Sequence, residues 1–249
     1  MKVVATYSIK GGVGKTSAAV NLGALAARNG VRTLLWDLDP QGAASYLFRV
    51  KPRVKGGGEA LVTGRTDVLD RVKGTDVEGL DLLPADFSYR NLDLVLHDAK
   101  RPVRRLRPVL RPLVGEFDLV IVDCAPSISL VSEGVFEAAD ALLVPLIPST
   151  LSLRTLAQLR DFLAGSDGHR PRVAPFFSMV DARKKLHRSV IEEAEAGVLT
   201  ATIPAATEVE LMGVRRSPVV VSAPRSRAAL AYEALWDEAA RVLALPGGG

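Results

Sequence analysis

Ser8-Ile9-Lys10-Gly11-Gly12-Val13-Gly14-Lys15-Thr16 is the stretch on which the fold turns. The apolar run Val3-Val4-Ala5-Thr6-Tyr7 before it reads as a buried strand, and Ser17 to Ala27 after it reads as a helix. Strand, glycine-rich loop and helix are the parts of a phosphate-binding loop. Successive backbone N–H groups and the helix N-terminus surround an anion, and the glycines let the backbone approach it. Gly11, Gly12, Val13, Gly14, Lys15, Thr16 and Ser17 are therefore the candidate nucleotide contacts. Lys15 is aimed at the terminal phosphates, and the Thr16 hydroxyl is a candidate Mg²⁺ ligand.

The strict spacing G-x-x-x-x-G-K-[ST] is not met, because Ile9 stands at the first glycine position and a second lysine, Lys10, follows it. This variant closely resembles the deviant Walker A loop of the ParA/MinD family of P-loop ATPases. The resemblance implies ATP and Mg²⁺ as cofactors and a homodimer formed with ATP. It also implies that Lys10 crosses the dimer interface to the partner's nucleotide, acting as an arginine finger does. Lys10, Lys15 and Asp39 are then the catalytic candidates.

Working outward, 249 residues with 48% hydrophobic content suffice for one large α/β domain and exclude a disordered chain. One domain is expected over 1–245, followed by a flexible tail over 246–249. A single cysteine, Cys124, excludes an internal disulfide framework and fits a reducing cytosol. It also counts against the nitrogenase iron protein, a relative that shares the loop. The three histidines lack metal-ligand spacing. No apolar run approaches the roughly 20 residues that span a bilayer. The chain enters its first strand at once, which predicts neither a signal peptide nor a helix-turn-helix arm. The net charge of +4 is compatible with nucleic acid without pointing to it.

Strand-like runs alternate with helical patterns along the chain, which predicts a mostly parallel twisted sheet with helices on both faces, of the P-loop NTPase type. Strands are expected at Thr33–Asp37, Leu80–Leu83, Leu119–Asp123, Ala141–Pro145 and Val173–Val180, with a short last strand at Ala201–Pro204. Helices are expected at Leu92–Leu96, Val103–Leu113, Leu130–Ala138, Leu153–Leu163, Ser189–Glu195 and about Arg227–Leu243. The basic, glycine-rich segment 49–58 reads as a mobile loop.

Two further motifs bear chemistry. Asp37-Leu38-Asp39-Pro40-Gln41-Gly42 follows the second strand, at the sheet edge where α/β proteins bind ligands. It resembles the D-x-D-P-Q-G segment of ParA-type proteins, which implies that Asp39 orients the attacking water. Asp37 would help position Mg²⁺ waters or the loop. Leu119-Val120-Ile121-Val122-Asp123 is a Walker B strand whose Asp123 would hold Mg²⁺ through water. The family's D-x-P-P segment reads Asp123-Cys124-Ala125-Pro126 here, one proline short.

The second half carries the output. Leu143 to Leu163 resembles a ParA strand and interface helix. Pro224 to Tyr232 resembles the family segment that sets an arginine on non-specific DNA, so Arg225 and Arg227, with Arg215 and Arg216 nearby, are the DNA candidates. Arg183 to Arg188 is a further basic cluster. Lys100, Arg101, Arg104, Arg105, Arg107 and Arg111 read as a solvated face. Ala205-Ala206-Thr207 departs from the Arg and Asn often found after the Ile-Pro pair in the family. The resemblance implies non-specific double-stranded DNA and a ParB-like or cargo adaptor protein as partners, with no membrane. It implies a cytoplasmic, nucleoid-associated protein that segregates or positions plasmid, chromosome or protein cargo. The alternatives are a MinD-like membrane-cycling ATPase, which would need a cationic amphipathic last helix, and a metabolic P-loop enzyme, which would need a further substrate site.

Overall fold

The computed structural model describes residues 1–166 and 168–247; Gly248 and Gly249, part of the tail expected to be flexible, lie outside the described residues. The strands are β1 (Lys2–Thr6), β2 (Thr33–Asp37), β3 (Lys73–Gly74), β4 (Leu80–Leu83), β5 (Leu119–Asp123), β6 (Ala141–Leu146) and β7 (Arg172–Phe177). They form one seven-stranded sheet in the order β3-β4-β2-β5-β1-β6-β7. Among the described residues only the β3–β4 pair is antiparallel. The central strands β2 and β5 are buried throughout, as the unbroken runs Thr-Leu-Leu-Trp-Asp and Leu-Val-Ile-Val-Asp require when helices cover both faces.

Among the described residues the helices are α1 (Lys15–Arg28), α2 (Ala43–Leu47), α3 (Gly57–Val62), α4 (Leu92–His97), α5 (Leu106–Leu110), α6 (Leu130–Ala138), α7 (Thr150–Gly165), α8 (Lys185–Glu192), α9 (Thr207–Glu210), α10 (Met212–Arg215), α11 (Val219–Ser222) and α12 (Arg227–Leu243). Side chains alternate across the sheet and split the core in two. Val4, Leu35, Ile121 and Leu143 face α1 and α12, where Leu22, Leu25, Tyr232 and Trp236 pack. Val3, Leu34, Val120 and Leu142 face the other layer, with Leu92, Leu106, Val135 and Leu156. Leu35 has no exposed surface, and truncating it to Ala would cost about 2–5 kcal/mol. Gly23 lets α1 lie close on the sheet: a Cβ there would stand 3.3 Å from Leu80 Cδ1.

The main strands lie where expected, and three local expectations need correction. The helix expected over Val103–Leu113 is three short pieces, with 3-10 turns at Pro102–Arg104 and Arg111–Leu113 around α5. Pro108 and Pro112 each sit in the first turn of their own piece, the one helical place where a missing N–H costs nothing. The strand expected at Ala201–Pro204 is only a bridge between Val180 and Pro204. Glu238 of α12 takes the N–H groups of Thr200 and Ala201, both at 2.8 Å, and Pro204 has no N–H to give. Gly57 and Gly58, expected in a loop, open α3. The edge strand β3 is not legible in the sequence, because two residues carry no periodicity.

Both sheet edges are finished. On one side β3 is two exposed residues, Lys73 and Gly74. On the other, Leu199 N donates to Pro175 O and Ile203 N to Phe177 O, each at 2.8 Å, so an irregular segment covers β7.

Candidate nucleotide site

The loop between β1 and α1 ends on Gly14, the N-cap of α1, which is left-handed at φ 96°; Gly12 is left-handed at φ 69°. A Cβ on Gly14 would meet Ser178 Oγ at 2.8 Å, so glycine is required there twice, for conformation and for space. No side chain caps the N-terminus of α1. Its first-turn N–H groups therefore remain available to an anion, reinforced by the helix dipole. Lys15 is buried and its Nζ donates to Lys10 O at 3.0 Å, which folds the ammonium over the loop. Burial lowers the Lys15 pKa, opposed by the carboxylates of Asp123 and Asp39.

Gly11, Gly12, Gly14, Lys15, Thr16, Ser17 and Asp39 line one cavity of about 370 Å³. Two of the expected loop residues stand apart from it. Val13 is buried and Lys10 is half-buried, and both line a small neighbouring cavity beside Ser152 and Leu156 of α7. Lys10 thus does not line its own chain's nucleotide cavity.

Strand register fixes the carboxylates. Asp37 and Asp123 are direct neighbours on β2 and β5, at the C-terminal ends of both strands, and neither has exposed surface. Asp37 Oδ2 accepts from Ser45 N and Ser45 Oγ, each at 2.7 Å. Asp123 Oδ1 accepts from Thr6 Oγ1 at 3.3 Å. Burial pushes Asp37 up to about 6, and burial together with repulsion from Asp37 pushes Asp123 up to about 8. Asp37 Oδ1 and Asp123 Oδ2 are buried without a hydrogen-bond partner. Two orphaned carboxylate oxygens, with the Thr16 hydroxyl beside Asp123, make an all-oxygen donor set that fits Mg²⁺. Asp39 lies two residues beyond the strand, half-buried, with Oδ1 accepting from Gln41 N at 2.9 Å.

Sequence reasoning missed the opposite wall of the cavity, made by Ser178, Met179, Ile203 to Ala206, Val209, Glu210 and Tyr232. Met179 is left-handed at φ 56°, a strained conformation for a side chain of its size and one found at binding sites. No local pattern announces these residues, since they converge only once β7, the irregular segment and α12 are assembled. Asn21 escaped as well. It has no exposed surface; its Nδ2 donates to Ser17 O at 2.7 Å, and its Oδ1 accepts from Val220 N at 3.1 Å, tying α1 to α11.

The basic candidates differ among themselves. Arg225 and Arg227 are exposed and flank Ser226, whose Oγ accepts from Ala229 N at 3.1 Å as the cap of α12. Arg215 is exposed. Arg216 is half-buried, its guanidinium over the Tyr46 ring at 4.5 Å and its Nε donating to Tyr46 O at 3.0 Å. Arg104 and Arg107, read as part of a solvated face, pair with the buried Glu137 at 3.5 and 3.7 Å. Among the described residues, no helix is long and apolar enough to cross a membrane.

Residues 1–166 match a family model described as an AAA domain. The sporulation initiation inhibitor protein Soj of Bacillus subtilis is 33% identical over 248 residues, covering 96% of this chain and 98% of that protein. The chromosome partitioning protein ParA of Myxococcus xanthus is 34% identical over 200 residues, or 77% of this chain and 70% of that one. Among solved structures, cobyrinic acid a,c-diamide synthase of Mycobacterium smegmatis with a bound ATP analogue and magnesium superposes with a TM-score of 0.77. It is 27% identical over 95% of this chain and 93% of that chain. With the loop, both strand-end carboxylates and near-complete coverage in agreement, the chain belongs to the ParA/MinD family of P-loop ATPases.

Proposed function

We propose that this chain is an ATPase that uses ATP and Mg²⁺, dimerises in its ATP state and then binds duplex DNA of any sequence. An adaptor protein on the cargo stimulates hydrolysis and release, so that the cycle segregates or positions plasmid, chromosome or protein cargo. The observation that carries the reading is a single cavity holding the uncapped N-terminus of α1, Lys15, Thr16 and Asp39, above two buried carboxylates with orphaned oxygens. The name of the M. xanthus relative supports the partition side of it.

Each residue has a task. The N–H groups of Gly12 to Ser17 and the Lys15 ammonium bind and orient the β- and γ-phosphates. Thr16, with Asp37 and Asp123 through water, would hold Mg²⁺, which neutralises phosphate charge when bound. Asp39 reaches into the cavity from the β2 end and orients the attacking water, accepting its proton. Lys10, which does not line its own chain's cavity, serves the partner's phosphates. Arg225 and Arg227 meet DNA phosphates beside the N-terminus of α12, whose dipole adds to theirs.

The test is Asp39→Ala, which should bind ATP normally, lose about a hundredfold or more in turnover and accumulate as a dimer that shifts DNA of any sequence. Wild-type turnover by this variant would reassign the water-orienting role. A trapped dimer that ignores DNA at low salt would remove the DNA reading. Liposomes belong in the same assay, because Val214, Val221 and Leu230 are exposed on the segment that carries these arginines. The likeness to the M. smegmatis synthase supplies the second reading, a metabolic enzyme. Turnover would then require a small-molecule co-substrate, and DNA and adaptor would leave it unchanged.

A further inference from the structure

We infer that Arg216 is a positioning residue for ATP hydrolysis: with Arg49 it clasps helix α2 and thereby fixes the Asp37–Gly42 loop, in place of the DNA contact expected for it. The inference rests on the ATPase reading above and deepens it.

The clasp is reciprocal. Arg216 sends its Nε to Tyr46 O at 3.0 Å and lays its guanidinium over the Tyr46 ring. Arg49 sends Nη2 to Arg215 O at 2.9 Å, while its Nη1 pairs with Asp76. Both arginines are left-handed, at φ 51° and φ 58°, a conformation L-residues hold only where surrounding contacts impose it. Two segments more than 160 residues apart, at 46–49 and 215–216, thus trade a side chain for a backbone carbonyl in each direction.

What the clasp holds is short. α2 has five residues, too few to persist without tertiary ties. Its N-terminal tie is the catalytic loop itself: Ser45 bonds Asp37 twice, Ser45 Oγ accepts from Ala85 N at 2.9 Å, and Gly42 N donates to Asp39 O at 2.9 Å. Its C-terminal tie is the clasp, on Tyr46, the residue after Ser45. A shift of Tyr46 therefore moves Ser45, and with it Asp37 and the turn that carries Asp39. The far end of the clasping segment reaches the phosphate-loop helix, where Met212 Sδ accepts from Asn21 Nδ2 at 3.3 Å. Residues 212–216 therefore brace α1 against α2. An Arg216 that turned to a DNA phosphate would have to release both the Tyr46 carbonyl and its ring.

Lysine separates the two roles, since Arg216→Lys keeps the charge a phosphate needs and loses the Nε–H donor and the planar stacking face. The full-length chain is assayed for kcat and KM without DNA, for ATP affinity, and for DNA affinity with a non-hydrolysable analogue. Arg216→Lys and Arg216→Ala should each lower kcat about tenfold or more, with ATP and DNA affinities within about twofold of wild type. Tyr46→Ala, which removes the ring and keeps the carbonyl, should lower kcat by less, the Arg216→Ala/Tyr46→Ala double variant should fall no lower than Arg216→Ala, and Tyr46→Phe should behave as wild type. Thermal melts accompany each protein; if Arg216→Ala melts early, Arg216→Lys and Tyr46→Ala decide. Wild-type kcat in Arg216→Lys overturns the clasp, and loss of DNA binding in Arg216→Ala at normal kcat restores the DNA contact. A wild-type chain that turns over no ATP overturns the proposed function and this inference together, whereas active wild type with insensitive variants overturns this inference alone.

Discussion

The nucleotide end and the arginine-bearing end of this molecule are built on opposite plans. Around β1, β2 and β5 Lys15 and the two strand-end carboxylates are buried, and strand register sets the carboxylates: Asp37 stands beside Asp123 because Thr33 stands beside Leu119. Between residues 203 and 227 the chain is a string of four-residue helices, and Arg215, Arg225 and Arg227 are exposed. A buried charge must be matched by geometry within its own chain. An exposed charge is defined by whatever it meets. The first plan makes a site whose chemistry is fixed before any ligand arrives; the second makes a surface whose affinity is additive and dependent on salt.

The sharpest break in that comparison should come from Lys15→Ala. It removes the one ammonium folded over the loop, and ATP affinity should fall about a hundredfold with turnover lost, as read by isothermal titration. Retained affinity would mean that the backbone N–H groups suffice. Lys10→Ala should instead leave ATP affinity nearly unchanged while turnover falls about a thousandfold, the scale of a charge supplied in trans. Size-exclusion chromatography with ATP should then show monomer only, and a stable, active dimer would return Lys10 to the status of a solvated loop residue.

This contrast also explains what can be read from residue order alone. The phosphate loop, Asp37, Asp39 and Asp123 lie within short segments where strand, turn and helix follow one another, so local pattern carries them. The cavity wall of Ser178 and Met179, Ile203 to Ala206, and Tyr232 is assembled from three distant segments and has no local signature. Arg216 misleads for a related reason. A run of arginines looks uniform in sequence, while the left-handed backbone at 216 turns one of them inward and leaves its neighbour outside. The proline-interrupted segment 102–113 misleads differently: its apolar spacing is helical throughout, and only the missing N–H groups of Pro108 and Pro112 restart the helix.

The exposed plan predicts smaller, graded effects. Arg227→Glu should weaken DNA binding of the ATP-state protein about tenfold at low salt, equally for all sequences. It should also flatten the log–log salt dependence by about one unit for each phosphate no longer neutralised. A change confined to certain sequences would point to base recognition. The buried plan predicts a pH signature in the nucleotide-free chain. Asp37 and Asp123 hold their protons to about 6 and about 8, above the unfolded carboxylate range near 4. Between those limits the native state binds more protons than the unfolded state. Its stability is therefore fully present below about pH 4 and declines as pH rises toward 8. The melting temperature should fall by about ten degrees or more across that window, and Asp123→Asn should blunt the fall. A flat profile would show that water reaches the pair.

The two finished sheet edges bear on crowding. A parallel sheet with a bare flank invites strand addition by other copies, and a protein that gathers on a surface meets its own kind at high local density. Here one flank ends in a two-residue strand with a lysine, and the other has its carbonyls at Pro175 and Phe177 already engaged by Leu199 and Ile203. Neither flank presents a long, flat ladder to a neighbour. Gathering on DNA, as proposed above, would therefore not template amyloid-like association, and cutting back residues 199–203, which reopens the β7 flank, is the change expected to promote aggregation.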